Sequence, residues 1–304
     1  MKFAAGLWAA QFRAMGSPCE VLVESPSEQR AQAVAEVVAA CAARIERKFS
    51  RYRDDSVVAR INGARGGPVE VDDETANLIE FTVRVHELSG GLFDITSGVL
   101  RRAWTFDGKA RIPTDTQVQA LLPLVGWSKV NWQRPRITLL PDMQIDFGGV
   151  GKEYAVDCAL VEARRITDEP VLINFGGDLA VSGPRRDGSA WRVGVEGVTA
   201  PDASPAKLIE LSMGALATSG DTYRYLSDAG KRLSHILDPR TGRPVEHAPR
   251  SITVAAPTCT QAGMFTTLAM LRGAGAEAFL RNEGVRHWIQ REDADQDRSF
   301  SARE

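Results

Sequence analysis

What most constrains this chain is its punctuation: short apolar strands and periodic helices follow one another irregularly, separated by junctions rich in Gly, Asp and Thr. In order, these junctions read AMGSP from Ala14, FSRYRDDSVVARIN from Phe49, GGLFDITSGVL from Gly90, DFGGVGKEYAVD from Asp146, INFGGDLAVSG from Ile173, ALATSGDTYRY from Ala215 and SHILDPRTGRPV from Ser234. Between them, CEVLVES alternates like a half-buried strand, and Ser27 caps a helix whose Ala31, Val34, Val38, Cys41 and Ile45 recur every three or four residues. A second helix is predicted from about Asp73, with Leu78, Phe81, Val85 and Leu88 on one stripe and Gly90-Gly91 as its stop. Thr114 and Gln117 form a capping box for a third. KVNWQ and RITLL read as paired strands, VLINF, WRVGV, LIELS and SITVAA as further strands, and Thr258 to Leu271 as a last helix. No βαβ rhythm emerges, so the predicted class is α+β, a mixed β-sheet core with flanking helices. EGVTAPDASPAK reads as an excursion between strands, leaving one domain over 1–304, in one or two lobes.

Composition excludes several functions. A formal charge of −2 argues against a nucleic-acid binder working through a general basic field. The four cysteines, Cys19, Cys41, Cys158 and Cys259, form no Cys-x-x-Cys pair, which removes zinc-ribbon and redox-motif readings and leaves buried or idle thiols. No stretch approaches the roughly 20 apolar residues of a membrane span. MKFAAGLWAAQFRAMG contains neither a lipobox cysteine nor a clear small-residue cleavage site, so the predicted location is cytoplasmic.

The stretch QIDFGGVGKEYAVD carries the most chemistry. Gln144 to Phe147 reads as a strand, and Tyr154, Cys158 and Val161 read as one face of the helix that follows. Glycines there let backbone N–H groups approach a ligand, and a helix start favours an anion. The spacing fits neither Gly-x-x-x-x-Gly-Lys-Ser/Thr nor Gly-x-Gly-x-x-Gly.

Taken in order from about Met15 to Thr267, these segments resemble the FAD:protein FMN transferase family, the flavin transferases of the ApbE type. Most specific are Asp-Phe-Gly-Gly…Lys, Ala-Thr-Ser-Gly-Asp and His-x-x-Asp-Pro-x-Thr-Gly. The resemblance implies a magnesium-dependent transferase that splits the pyrophosphate of FAD, passes FMN to a Thr or Ser hydroxyl of an acceptor protein and releases AMP. It also implies export in many relatives, against the cytoplasmic reading. It assigns Met15, Tyr52, Leu92, Phe93, Asp94, Asp146, Lys152 and Ile236 to FAD, and the Gly149 carbonyl with Thr267 to the metal. Thr218 and Asp221 fall at the site edge, His235 orients a loop, and no residue is assigned as catalytic.

One departure stands out. Where the family reads Ala-Asp-Ala-x-x-Thr, this chain reads AGMFTT, with Gly263 in place of the metal-binding aspartate. Glu153 replaces the glycine that follows the family's lysine, an acid close to where phosphates would lie; it either points away along its helix or shifts toward the vacant metal site. The alternative function is therefore an FAD-binding protein of the same fold that has lost transfer. On helix propensity alone, aspartate would be accepted at 263 and would add back a ligand.

Overall fold

The computed structural model describes residues 2–4, 6–106, 112–198, 207–221, 225–228, 231–291 and 301–302. Residues 199–206 of the predicted excursion and 222–224 of the ALATSGDTYRY junction lie outside them. The helices are α1 (Glu28–Phe49), α2 (Val57–Asn62), α3 (Asp73–Leu88), α4 (Asp115–Leu121), α5 (Gly151–Ile166), α6 (Cys259–Leu271) and α7 (Ala276–Asn282). The strands are β1 (Lys2–Ala4), β2 (Leu7–Ala14), β3 (Ser17–Glu24), β4 (Val69–Glu70), β5 (Asn131–Gln133), β6 (Arg136–Thr138), β7 (Val171–Phe175), β8 (Asp178–Val181), β9 (Trp191–Val195), β10 (Lys207–Leu211), β11 (Gly214–Gly220), β12 (Tyr225–Asp228), β13 (Lys231–Ser234), β14 (Leu237–Asp238), β15 (Arg243–Pro244), β16 (Ser251–Ala256), β17 (Arg286–Gln290) and β18 (Ser301–Ala302).

Nine strands form one sheet in the order β1-β2-β3-β7-β8-β11-β16-β17-β18, and neighbours along it pair antiparallel. Alternation decides which layer each side chain joins. Val171, Ile173 and Phe175 of β7, with Cys19, Val21 and Val23 of β3, enter the core under α1 and α5; Leu172 and Leu22 point the other way, onto the β9–β10 hairpin with Trp191, Ile209 and Leu211. A strand covered on both faces reads as a near-continuous apolar run, which Val171, Leu172, Ile173 and Phe175 supply with Asn174 half-buried between the last two. Helix α1 has its predicted stripe, from Ala31 through Ile45, wholly buried, and Ser27 caps it by accepting the Arg30 N–H. Thr114 and Gln117 make the predicted capping box.

Some sequence expectations are corrected. Gln144–Phe147 is not a strand: the Asn62 side chain accepts the Ile145 N–H at 2.8 Å and donates to its carbonyl at 3.0 Å, while the Asp146 N–H donates to Ile95. Side-chain bonds thus replace a ladder. On α5 the buried face is Glu153, Ala155, Val156, Ala159 and Ala163, whereas Val161 is exposed and Tyr154 and Cys158 are half-buried. Small residues let α5 lie close to the sheet, so its inward face carries little apolar signal. Leu88, predicted on the stripe of α3, is 79% exposed. The N-terminal apolar run forms β2, and among the described residues no helix is long and apolar enough to cross a membrane.

Candidate functional site

Two tight turns meet at one end of the large sheet. β2 and β3 join through Met15 and Gly16, with φ of 52° and 69°, and β7 and β8 join through Gly176 and Gly177, with φ of 63° and 97°. Two-residue loops with both residues left-handed match the twist of the flanking strands. Met15 has a Cβ, so holding it there costs roughly 1 kcal/mol. The Gly176 N–H donates to the Pro18 carbonyl at 2.9 Å, and a Cβ at 176 would lie 2.7 Å from that of Ser17. Glycine is what lets the turns nest. The same point is 3.7 Å from the Lys152 ammonium, so the turn carrying Met15 and the start of α5 converge.

Lys152 Nζ stands 2.5 Å from Asp178 Oδ2. Asp178, the first residue after Gly176-Gly177, is only 1% exposed, and its Oδ1 accepts the Thr218 N–H at 3.0 Å. Burial works against the charge on Lys152, but Asp178 and then Glu153 hold its pKa above the ordinary lysine value. Glu153 is 7% exposed, and burial first and Asp178 second push its carboxyl above the usual carboxylate range, with Lys152 pulling the other way. Its Oε2 has no hydrogen-bond partner among the described residues.

Helices α5 and α6 are locked in register by Asp157, whose carboxylate accepts the Cys259 and Thr260 N–H groups at 2.8 Å each and the Thr260 hydroxyl at 2.6 Å. One turn toward the start of α5 is Glu153; one turn further along α6 is Gly263, and these two touch. The helices therefore run antiparallel; Thr267 lies one further turn along α6, and Gly149 lies just before the start of α5. A Cβ on Gly263 would meet Glu153 Cγ at 2.5 Å and Cδ and Oε1 at 2.9 Å. This corrects the expectation that aspartate is simply accepted at 263: the helix permits it, but Glu153 holds the space.

Asp146 lies just before α5. Its Oδ2 pairs with Arg51 at 3.0 Å, its Oδ1 accepts the Gly148 N–H, and Arg51 also donates to the Gly98 carbonyl. Tyr52 is 83% exposed, with the Arg51 guanidinium over its ring at 5.9 Å from the centroid. Phe93 is buried with its ring edge 3.2 Å from where a Gly149 Cβ would stand, which ties the Leu92–Asp94 segment to the α5 junction. Asp94 caps the 3-10 helix Ile95–Arg102: Oδ1 accepts the Thr96 N–H at 2.8 Å and its hydroxyl at 2.6 Å, and Oδ2 accepts the Trp127 N–H at 2.9 Å.

Asp94 also lines a cavity of about 280 Å³ with Gly91, Gly126, Pro239 and Arg240, so the GGLFD and HILDPRTG turns face each other. In the latter, Asp238 accepts the Arg240 N–H and its guanidinium, and Trp104 donates to the Gly242 carbonyl at 2.7 Å. Ile236 is half-buried, its N–H bonded to the Ser234 hydroxyl and its carbonyl to the Val245 N–H. His235 meets Phe106 edge-on at 6.2 Å. A smaller cavity, about 150 Å³, lies away from this chemistry between β2, β3 and α1. Asp221 is taken up by Arg250 at 2.6 Å and Arg232 at 3.4 Å, a buried cluster that holds strands together. Thr218 does touch the site, through Asp178.

Asp178 and Arg51 escaped sequence reading. An acid directly after a Gly-Gly hairpin turn was the available sign for Asp178; nothing local marks Arg51, which reaches Asp146 across 95 positions. Among the described residues no three His, Cys, Asp or Glu side chains cluster as a metal site. The Gly149 carbonyl, the Thr267 hydroxyl and the unpartnered Glu153 oxygen are all hard oxygen donors, which fit magnesium better than a softer metal.

A model of the ApbE family matches residues 15–289. The FAD:protein FMN transferase of Escherichia coli K12 is 31% identical over 249 residues, 78% of this chain and 70% of that one. The enzyme of that name from Salmonella typhimurium LT2 is 32% identical over 254 residues, 78% and 71% of the two chains. Among solved structures, the ApbE protein of Thermotoga maritima superposes with a TM-score of 0.87 at 30% identity, covering 98% of this chain and 97% of that one. The apo flavinyl transferase ApbE of Pseudomonas stutzeri gives 0.82 at 26% identity, with 98% and 94% covered.

Proposed function

The chain belongs to the ApbE family, and we propose on that footing that it is an FAD:protein FMN transferase, moving FMN from FAD to a Thr or Ser hydroxyl of an acceptor protein. In that reaction the acceptor oxygen bonds to the FMN phosphorus, the bond to the AMP oxygen breaks, and the hydroxyl proton is lost. The observation that carries the reading is convergence: the Met15 turn, the Gly176-Gly177 turn and Lys152 meet beside the Asp146–Gly149 junction, and Phe93 joins that junction to the Asp94 cavity. Lys152 offers a fixed positive charge, oriented by Asp178, to a pyrophosphate. Tyr52 offers an exposed ring face; Leu92, Phe93 and Ile236 offer apolar contact to a flavin. Transfer of this kind depends chiefly on positioning and on charge stabilisation.

Magnesium would be held by the Gly149 carbonyl and Thr267 and would neutralise charge on the phosphate oxygens. Incubation with FAD, magnesium and an acceptor protein should leave flavin fluorescence on the acceptor in a denaturing gel and release AMP. Tight FAD binding with neither product would favour the binder that has lost transfer.

A further inference from the structure

We propose that Glu153 supplies the carboxylate that position 263 lacks, so that the divalent-cation ligand has moved from α6 to α5. The inference rests on the transferase reading and adds a residue to it. Each helix presents one residue at this level of the α5–α6 contact, Glu153 from one and Gly263 from the other, and the space is large enough for one side chain only. The glutamate fills the volume that would begin at a Cβ on residue 263, with its carboxyl carbon 2.9 Å from that point. A carboxylate reaching there from α5, whose chain enters through Gly149, ends beside position 263, one turn of α6 before Thr267.

Space filling alone does not account for the choice of residue. Glu153 is 7% exposed and its Oε2 lacks any hydrogen-bond partner among the described residues, a costly arrangement for an acid. The neighbouring cation, Lys152, is engaged by Asp178 at 2.5 Å. With both acids ionised the trio carries one negative charge more than positive, and a divalent ion beside Glu153 offsets it. Oxygen donors from Glu153, Thr267 and Gly149 make a set that magnesium or manganese accepts, with waters and substrate phosphates completing it.

Mn²⁺ binding, followed by loss of the free-ion electron paramagnetic resonance signal with and without FAD, tests this on the parent, Glu153→Gln and the double exchange Glu153→Gly with Gly263→Asp. Glutamine keeps the volume and removes the charge. Affinity should fall at least about tenfold in Glu153→Gln and largely return in the double exchange. Mn²⁺ should raise the melting temperature of the parent and the double variant more than that of Glu153→Gln, a readout independent of turnover. Glu153→Gln binding Mn²⁺ like the parent, or a parent that binds none, overturns the proposal; a double variant no better than Glu153→Gln overturns the exchange of positions. FAD titration of the same proteins separates the two levels, since a parent that fails to bind FAD removes the transferase reading whatever the metal result.

Discussion

Glu153 and Gly263 share a single side-chain space between α5 and α6, the Glu153 Cγ lying 2.5 Å from where a Cβ on Gly263 would stand. Two effects of opposite sign therefore act on Gly263→Ala. Alanine is the better helix former by roughly 1 kcal/mol. Overpacking a buried contact costs typically 1–3 kcal/mol, and Glu153 is itself only 7% exposed. Denaturant unfolding should show a net loss of about 1 kcal/mol in Gly263→Ala, reversed when Glu153→Gly is added. A stabilised single variant would mean that Glu153 swings away freely.

Asp94 serves the fold first. Its carboxylate closes the start of the 3-10 helix through Thr96 and reaches the Trp127 N–H. Asp94→Ala should cost about 3 kcal/mol, a lost cap together with buried donors left unpaired. Asp94→Asn keeps an oxygen for Thr96 and should lose less than half of that. If Asp94 also meets the flavin, FAD affinity should drop in Asp94→Asn at temperatures where the variant is fully folded. Unchanged affinity would restrict the residue to its capping role.

The α1–α3 contact sets an acid limit on stability. Burial tends to raise the Asp72 pKa, but Lys48, 2.5 Å away, and the Thr75 N–H hold it down to about 2. A carboxylate whose pKa is depressed on folding adds stability above its unfolded value, about 3.9, and loses that contribution as the pH falls toward 2. Asparagine also caps helices well, so Asp72→Asn removes the charge and leaves the cap. The stability difference between parent and variant should be largest above pH 5 and close between about pH 4 and 2. A gap that stays constant over that range would show that Lys48 contributes nothing through charge.

Much of the architecture was legible because it is written in local signals. Ser27 and Thr114 cap helices through their own side chains, and the stripe of α1 is apolar wherever it is buried. Reading failed where distant residues stand in for local structure. Ile145 looks like strand sequence but has its backbone bonds met by Asn62, and α5 buries alanines and a glutamate where an apolar stripe was expected. The site divides in the same way. The junction motifs point to Met15, Lys152, Gly149, Phe93 and Asp146, and the structure brings these residues together near the start of α5. Asp178 and Arg51, which orient Lys152 and Asp146, were invisible because each acts across strands or helices far apart in sequence. The relation of Glu153 to Gly263 needed both helices in place.

Lys152 and Asp178 give the most direct test of the proposed substrate. If Lys152 meets the pyrophosphate, the parent should bind FAD more tightly than FMN or riboflavin, because the shorter flavins lack the diphosphate and its adenosine. Lys152→Ala should lower FAD affinity and narrow that preference. It also strands Asp178 as a buried charge, and breaking such a pair costs on the order of 3 kcal/mol. Asp178→Asn in the same chain relieves that penalty, since asparagine still accepts the Thr218 N–H. The double variant should therefore regain stability without regaining FAD affinity, whereas Cys158→Ala, half-buried against the core on the same helix, should leave affinity unchanged and act mainly on stability. Calorimetric titration with FAD, FMN and riboflavin, alongside denaturant unfolding, reads both quantities. Recovery of FAD affinity in the double variant would show that the loss in Lys152→Ala came from a disordered junction, and would remove Lys152 from the substrate's contacts.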